Sequence, residues 1–93
     1  MAAIDANERG EFLIENPGWS LDGEIIRKTF EFSNFNEAMG FVTRVALLAE
    51  PVDHHPDIDI RWNKVTIALS THSEGALTDK DTNLARKIEA VGG

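Results

Sequence analysis

The stretch EPVDHHPDIDIRWNKVTIALSTHSEGALTDKD, residues 50–81, decides the fold and holds every histidine of the chain: His54, His55 and His72. Ile58–Trp62 and Val65–Leu69 alternate apolar and polar residues on either side of Asn63-Lys64. That pattern predicts two antiparallel strands joined by a two-residue turn. With that turn Trp62 faces Val65, Ile60 faces Ile67 and Ile58 faces Leu69, so six apolar groups share one face. A slip of one residue would split them between faces, which is costly. Extending the ladder sets Asp57 opposite Ser70 and His55 opposite His72, with Cβ atoms roughly 4.5–5.5 Å apart. His54 adjoins His55, and Glu50 lies one helical turn earlier, so three imidazoles are expected to converge near the carboxylates of Glu50, Asp53 and Asp57.

Upstream of this stretch, Asn34–Glu50 reads as a long helix with Asn34 and Glu37 as a capping box. Phe35, Ala38, Met39, Val42, Val45, Ala46 and Ala49 follow the rhythm of a core-facing stripe. Phe41 and Leu48 fall off it, either meeting another subunit or widening the buried face, and Pro51 ends the helix. Trp19–Leu21 and Glu24–Phe32 flank Asp22-Gly23, a strong hairpin signal. Asp5–Glu15 forms a first helix with Asp5 as N-cap and Glu8 as its partner. Thr78–Val91 forms a last one, capped by Thr78 and burying Leu84, Ala85, Ile88 and Val91. The order α-ββ-α-ββ-α predicts a single α+β domain over residues 1–93, a two-layer fold with a four-stranded antiparallel sheet and helices on one face.

Composition narrows the function. Nine Lys+Arg against sixteen Asp+Glu give a net charge of -7, and no basic stripe is visible, so direct nucleic-acid binding is not expected. There is no cysteine, which excludes disulfides, Cys-rich zinc sites and thiol nucleophiles. No apolar run reaches the roughly 20 residues of a membrane span, and no leader is visible, so a cytoplasmic address is expected. A chain of 93 residues sits near the low end of self-sufficient cores, which favours self-association. Three histidines beside carboxylates suit either proton transfer or a zinc or iron ion. The adjacent pair His54-His55 disfavours one shared ion, because neighbouring side chains on extended backbone diverge.

The spaced pattern Glu50, His54-His55-Pro56, Trp62, His72 and Asp81 resembles that of the pterin-4a-carbinolamine dehydratases. The flanking text agrees, with Asn34-Phe35-Asn36, Gly40-Phe41, Arg44–Leu47, Asn63–Val65, Leu69–His72 and Asn83–Ala85. The likeness spans about residues 18–91; Ile58, where some relatives carry tryptophan, departs from it. The resemblance implies removal of water from a 4a-hydroxytetrahydropterin to give quinonoid dihydropterin, with no metal, nucleotide or redox cofactor. It implies that His54, His55 and His72 carry the reaction, with His54 and His72 as the preferred acid–base pair and His55 mainly a binder. Glu50, Asp53, Pro56, Ser70, Thr71 and Ser73 would join the histidines in the pterin site, Glu50 also as an orienter, and Trp62 would support it. Asp81 either caps the last helix or orients a histidine. The implied partners are a small pterin and further copies of the chain, as a homodimer or homotetramer. Relatives also serve as dimerisation cofactors of a homeodomain transcription factor, so a protein-interaction module without essential catalysis is the competing class.

Overall fold

The computed structural model describes residues 3–92. Helix α1 (Ala6–Glu15) starts where the Asp5 carboxylate accepts the Glu8 N–H at 2.9 Å. Strands β1 (Ser20–Asp22) and β2 (Ile25–Glu31) form the first hairpin. Helix α2 (Phe35–Ala49) starts at Asn34, whose side chain accepts the Glu37 N–H at 2.8 Å. A 3-10 turn (Glu50–Val52) leads to β3 (Asp57–Arg61) and β4 (Lys64–Leu69), and a second 3-10 turn (His72–Glu74) leads to α3 (Asp79–Gly92). The sheet is antiparallel throughout, in the order β1-β2-β4-β3. The sequence of elements is the expected α-ββ-α-ββ-α. Among the described residues no helix is long and apolar enough to cross a membrane.

Alternation places Ile26 and Phe30 of β2 on the same buried face as Val65, Ile67 and Leu69 of β4. Ala38, Phe41 and Val45 of α2 and Leu84, Ala85 and Ile88 of α3 join them in one core cluster. The opposite face is polar, and there the Thr29 and Thr66 hydroxyls meet at 2.8 Å.

The core-facing stripe of α2 differs in phase from the expected one. Ala38, Phe41, Val45 and Ala49 are buried, whereas Phe35 is 51% exposed and Ala46 is exposed. From Ala38 to Ala49 the helix is apolar nearly all round, so periodicity alone admits two rotations. The sheet selects between them: Phe41 fits against Phe30 and Phe32, with ring centroids 4.7 and 5.0 Å away. Phe41 therefore belongs to the buried face, at the centre of the contact, and Leu48 packs partly buried against the same core.

Both hairpin turns also move by one position. In the first, Asp22 pairs with Ile25, so Gly23-Glu24 is the loop and Gly23 takes φ 61°. Glu24 is drawn out of the strand by distant partners. Arg9 grips it through both oxygens at 2.7 and 3.0 Å, and the Leu77 N–H donates to it at 3.1 Å. In the second, Trp62-Asn63 is the turn, Ile60 faces Val65 and Ile58 faces Ile67. Asn63 is buried, donates to the Phe32 carbonyl at 2.8 Å, and accepts the Phe32 N–H at 2.9 Å through its own carbonyl. Those bonds to Phe32, just past β2, outweigh the left-handed φ of 52° left on Trp62. The apolar faces still match, because the shift preserves which side each residue takes. As β3 is an edge strand, Ile60 and Trp62 stay 37% and 66% exposed instead of closing a six-residue face.

Phe41→Ala should cost about 3–5 kcal/mol, and Phe35→Ala under about 1 kcal/mol, by urea denaturation; equal losses would contradict the observed helix phase. The Arg9 hydrogen bonds hold the Glu24 carboxyl at about 2, below its usual 4.5. Its stabilising effect is therefore complete above pH 4.5 and lost as pH falls towards 2. Glu24→Gln should flatten the fall in stability across that window.

Candidate active site

The end of α2 determines where the first two histidines point. Pro51 enters the 3-10 turn, and Asp53 then adopts left-handed backbone (φ 50°, ψ 44°). The turn is closed by Asp53 N–H to the Glu50 carbonyl at 3.1 Å and His54 N–H to the Ala49 carbonyl at 3.3 Å. The reversal sends His54 inward, 9% exposed, and leaves His55 outside.

His54 Nε2 lies 2.5 Å from Oδ1 of Asp81, a residue with no exposed surface. The other oxygen of Asp81 accepts the Thr71 hydroxyl at 2.8 Å and the Thr78 N–H at 2.9 Å. Because the Thr71 proton is committed to Asp81, the Thr78 hydroxyl donates to Thr71 across their 2.7 Å contact. It also accepts the Lys80 N–H at 3.3 Å. A buried carboxylate is costly unless its lone pairs are satisfied, and here three donors satisfy it. An ionised carboxylate only accepts, so the proton between His54 and Asp81 belongs to Nε2. In the neutral ring Nδ1 then holds a lone pair, and no protein hydrogen bond among the described residues engages it. Asp81 thus caps α3 with one oxygen and orients a histidine with the other.

His55 donates from Nε2 to Glu50 Oε1 at 2.8 Å, with both side chains largely in solvent. Such an exposed pair contributes about 0–1 kcal/mol; its effect is to aim the ring. His72 opens the second 3-10 turn, which Gly75 closes at φ 60°. The strand ladder ends at Asp57–Ala68, so His55 and His72 are not the cross-strand pair that the expected register makes them. They meet by another route. All three histidines line one cleft of about 370 Å³, its wall completed by Asp53, Ser70, Thr71 and Ser73.

The remaining candidates separate from that cleft. Glu50 stands behind His55 and Pro56 is half-buried beside it, neither forming the wall. Trp62 sits at the hairpin tip, the length of β3 from the histidines. Thr71 is at the wall, yet its hydroxyl is spent on Asp81. Lys80 lines the cleft and was missed; its place just before Asp81 in the first turn of α3 is the signal that pointed there.

The family model described as pterin 4 alpha carbinolamine dehydratase matches residues 2–91. Relatives given provisional pterin-4-alpha-carbinolamine dehydratase names include one from Roseiflexus castenholzii, 50% identical with 97% of each chain covered. Another, from Chloroflexus aurantiacus, is 48% identical over the full length of both. Among solved structures, a transcriptional coactivator/pterin dehydratase from Brucella melitensis superposes with a TM-score of 0.93 at 38% identity, covering 99% of this chain and all of that one. A pterin dehydratase-like protein described as a RuBisCO assembly factor of the alpha-carboxysome shares the fold, with a TM-score of 0.68 and 22% identity over 81% of this chain and 87% of its own.

Asp81→Ala leaves three donors without their acceptor and should destabilise the fold by about 3–5 kcal/mol. Glu50→Ala should stay within about 1 kcal/mol. Chemical denaturation of both variants checks the contrast, and a negligible loss for Asp81→Ala would contradict the buried network.

Proposed function

Because the chain belongs to the pterin 4 alpha carbinolamine dehydratase family, we propose that it dehydrates a 4a-hydroxytetrahydropterin in the cleft shared by His54, His55 and His72. The observation that carries this reading is the buried His54–Asp81 pair at that cleft. In the reaction the C4a–O bond breaks, a ring nitrogen lone pair forms the C=N bond, and that nitrogen loses its proton. Hydroxide is a poor leaving group, so an acid protonates the oxygen and water departs; a base takes the nitrogen's proton.

His54 suits the base. Asp81 holds the Nε2 proton, presents the Nδ1 lone pair, and stabilises the imidazolium that forms once Nδ1 is protonated. His72, exposed at the rim, is the acid that protonates the 4a-oxygen and is recharged from solvent. His55, aimed by Glu50, contacts the substrate. General acid–base help of this kind is worth ~10²–10⁴-fold. The proposal sets this reaction in the cytosol and without a metal.

Self-association is part of the proposal, as a homodimer or homotetramer. Phe35 and Leu47 leave apolar surface on the outer side of α2, 51% and 69% exposed, and β3 presents an open edge with Ile60 and Trp62. The same surface favours the second reading, an interaction module whose catalysis is dispensable.

The direct test is the decay of freshly generated 4a-hydroxytetrahydropterin, followed by absorbance with and without the chain. Acceleration is expected, with His54→Ala and His72→Ala each losing ~10²–10⁴-fold, and His72→Ala keeping wild-type stability because its ring is exposed. Decay unchanged by the wild-type chain would leave the interaction module as the function. Activity should survive EDTA; loss restored by zinc would contradict the metal-free chemistry.

A further inference from the structure

A second cavity, of about 240 Å³, adjoins the histidine cleft and shares His54 and Lys80 with it. Its other lining residues are Val52, Asn83, Leu84 and Lys87. Lys80, Asn83 and Lys87 recur at the spacing of one helical face, so α3 presents two ammonium groups and an amide to the same space. No acidic side chain lines it, although the chain holds sixteen acids against nine bases. Neither lysine forms an ion pair among the described residues. Of the acids near them in sequence, Asp81 is buried and already satisfied by three donors, Glu89 is paired with Lys28, and Asp79 lines a separate cavity with Glu8, Glu11 and Arg86. The His54 side chain that separates the chambers is 10% exposed. Val52 and Leu84 supply apolar wall. An apolar passage ending in unpaired cations suits a short carbon chain with an anionic end.

We propose that this cavity receives a phosphate ester carried on the alkyl side chain of the pterin, so that Lys80 and Lys87 make the enzyme selective for an anionic substrate. The inference rests on the pterin reading of the neighbouring cleft. The ring lies among the histidines, the side chain passes His54, and the phosphate meets the α3 lysines and the Asn83 amide. Ammonium–phosphate hydrogen bonds are charge-assisted and stronger than neutral ones. Their value here is moderated by solvent, because both lysines are exposed. The reaction that supplies the substrate must then oxidise a phosphorylated tetrahydropterin at C4a.

The test compares binding of a 6-(trihydroxypropyl)-7,8-dihydropterin and its terminal phosphate ester to the full chain by calorimetry at low salt. The ester should bind about tenfold more tightly, with the advantage shrinking as salt is raised. Lys87→Gln should remove most of the advantage and Lys87→Glu should invert it, while the uncharged ligand binds each variant as it binds the wild type. Equal affinities in the wild type, or a preference that persists in Lys87→Glu, would overturn the proposal and leave the pterin site standing. Inorganic phosphate alone should bind far more weakly than the ester; equal binding would make the cavity a free-anion site and overturn it too. Failure of both pterins to bind would overturn the cleft reading itself, and the side-chain proposal with it.

Discussion

One carboxylate with no exposed surface holds the working end of this molecule together. Asp81 accepts from His54 on the turn after α2, from Thr71 between β4 and the second 3-10 turn, and from the Thr78 backbone at the start of α3. The turn after α2, the segment after β4 and the start of α3 are therefore fixed to one anion. Removing a carboxylate from water is unfavourable by several kcal/mol unless donors replace the lost hydration, so burial makes each of the three bonds obligatory. The same requirement sets the histidine: a ring whose Nε2 must donate inward has its other nitrogen turned outward. Fold and chemistry meet in a single acceptor.

The two carboxylate–histidine contacts differ in environment more than in length. His54–Asp81 is enclosed, and its geometry is enforced by the core around it. His55–Glu50 is mostly in water, where an ion pair of the same type is loosely held. A proton acceptor that must keep one orientation belongs in the first environment. A group that adjusts to a ligand belongs in the second.

Local chemistry was legible in the sequence, and long-range choices were not. The caps at Asp5, Asn34 and Thr78 each depend on residues within one helical turn, and each stands where its neighbours put it. The α-ββ-α-ββ-α order followed from periodicity together with caps, turn residues and Pro51. The rotation of α2 did not, because a helix apolar nearly all round leaves the decision to Phe30 and Phe32 on another element. Nor did the turn of the second hairpin, which Asn63 fixes through bonds to Phe32, just past β2. The gathering of the three histidines was expected from a strand register that the structure does not have. It arises from two 3-10 turns, one reversed by left-handed Asp53 and one closed by Gly75. The partners of Asp81 were half legible: its distance from Thr78 announced a cap, and nothing in the spacing disclosed the Thr71 hydroxyl.

The most direct measurement is the tautomer of His54, read from long-range ¹H–¹⁵N correlations of the imidazoles above their titration. The account predicts that the neutral ring carries its proton on Nε2, facing Asp81, with Nδ1 bare, and that Asp81→Asn disturbs this ring while leaving the His55 pattern intact. A His54 ring protonated on Nδ1 and bare on Nε2 would contradict it, because Oδ1 of the buried carboxylate would then face a lone pair instead of a donor.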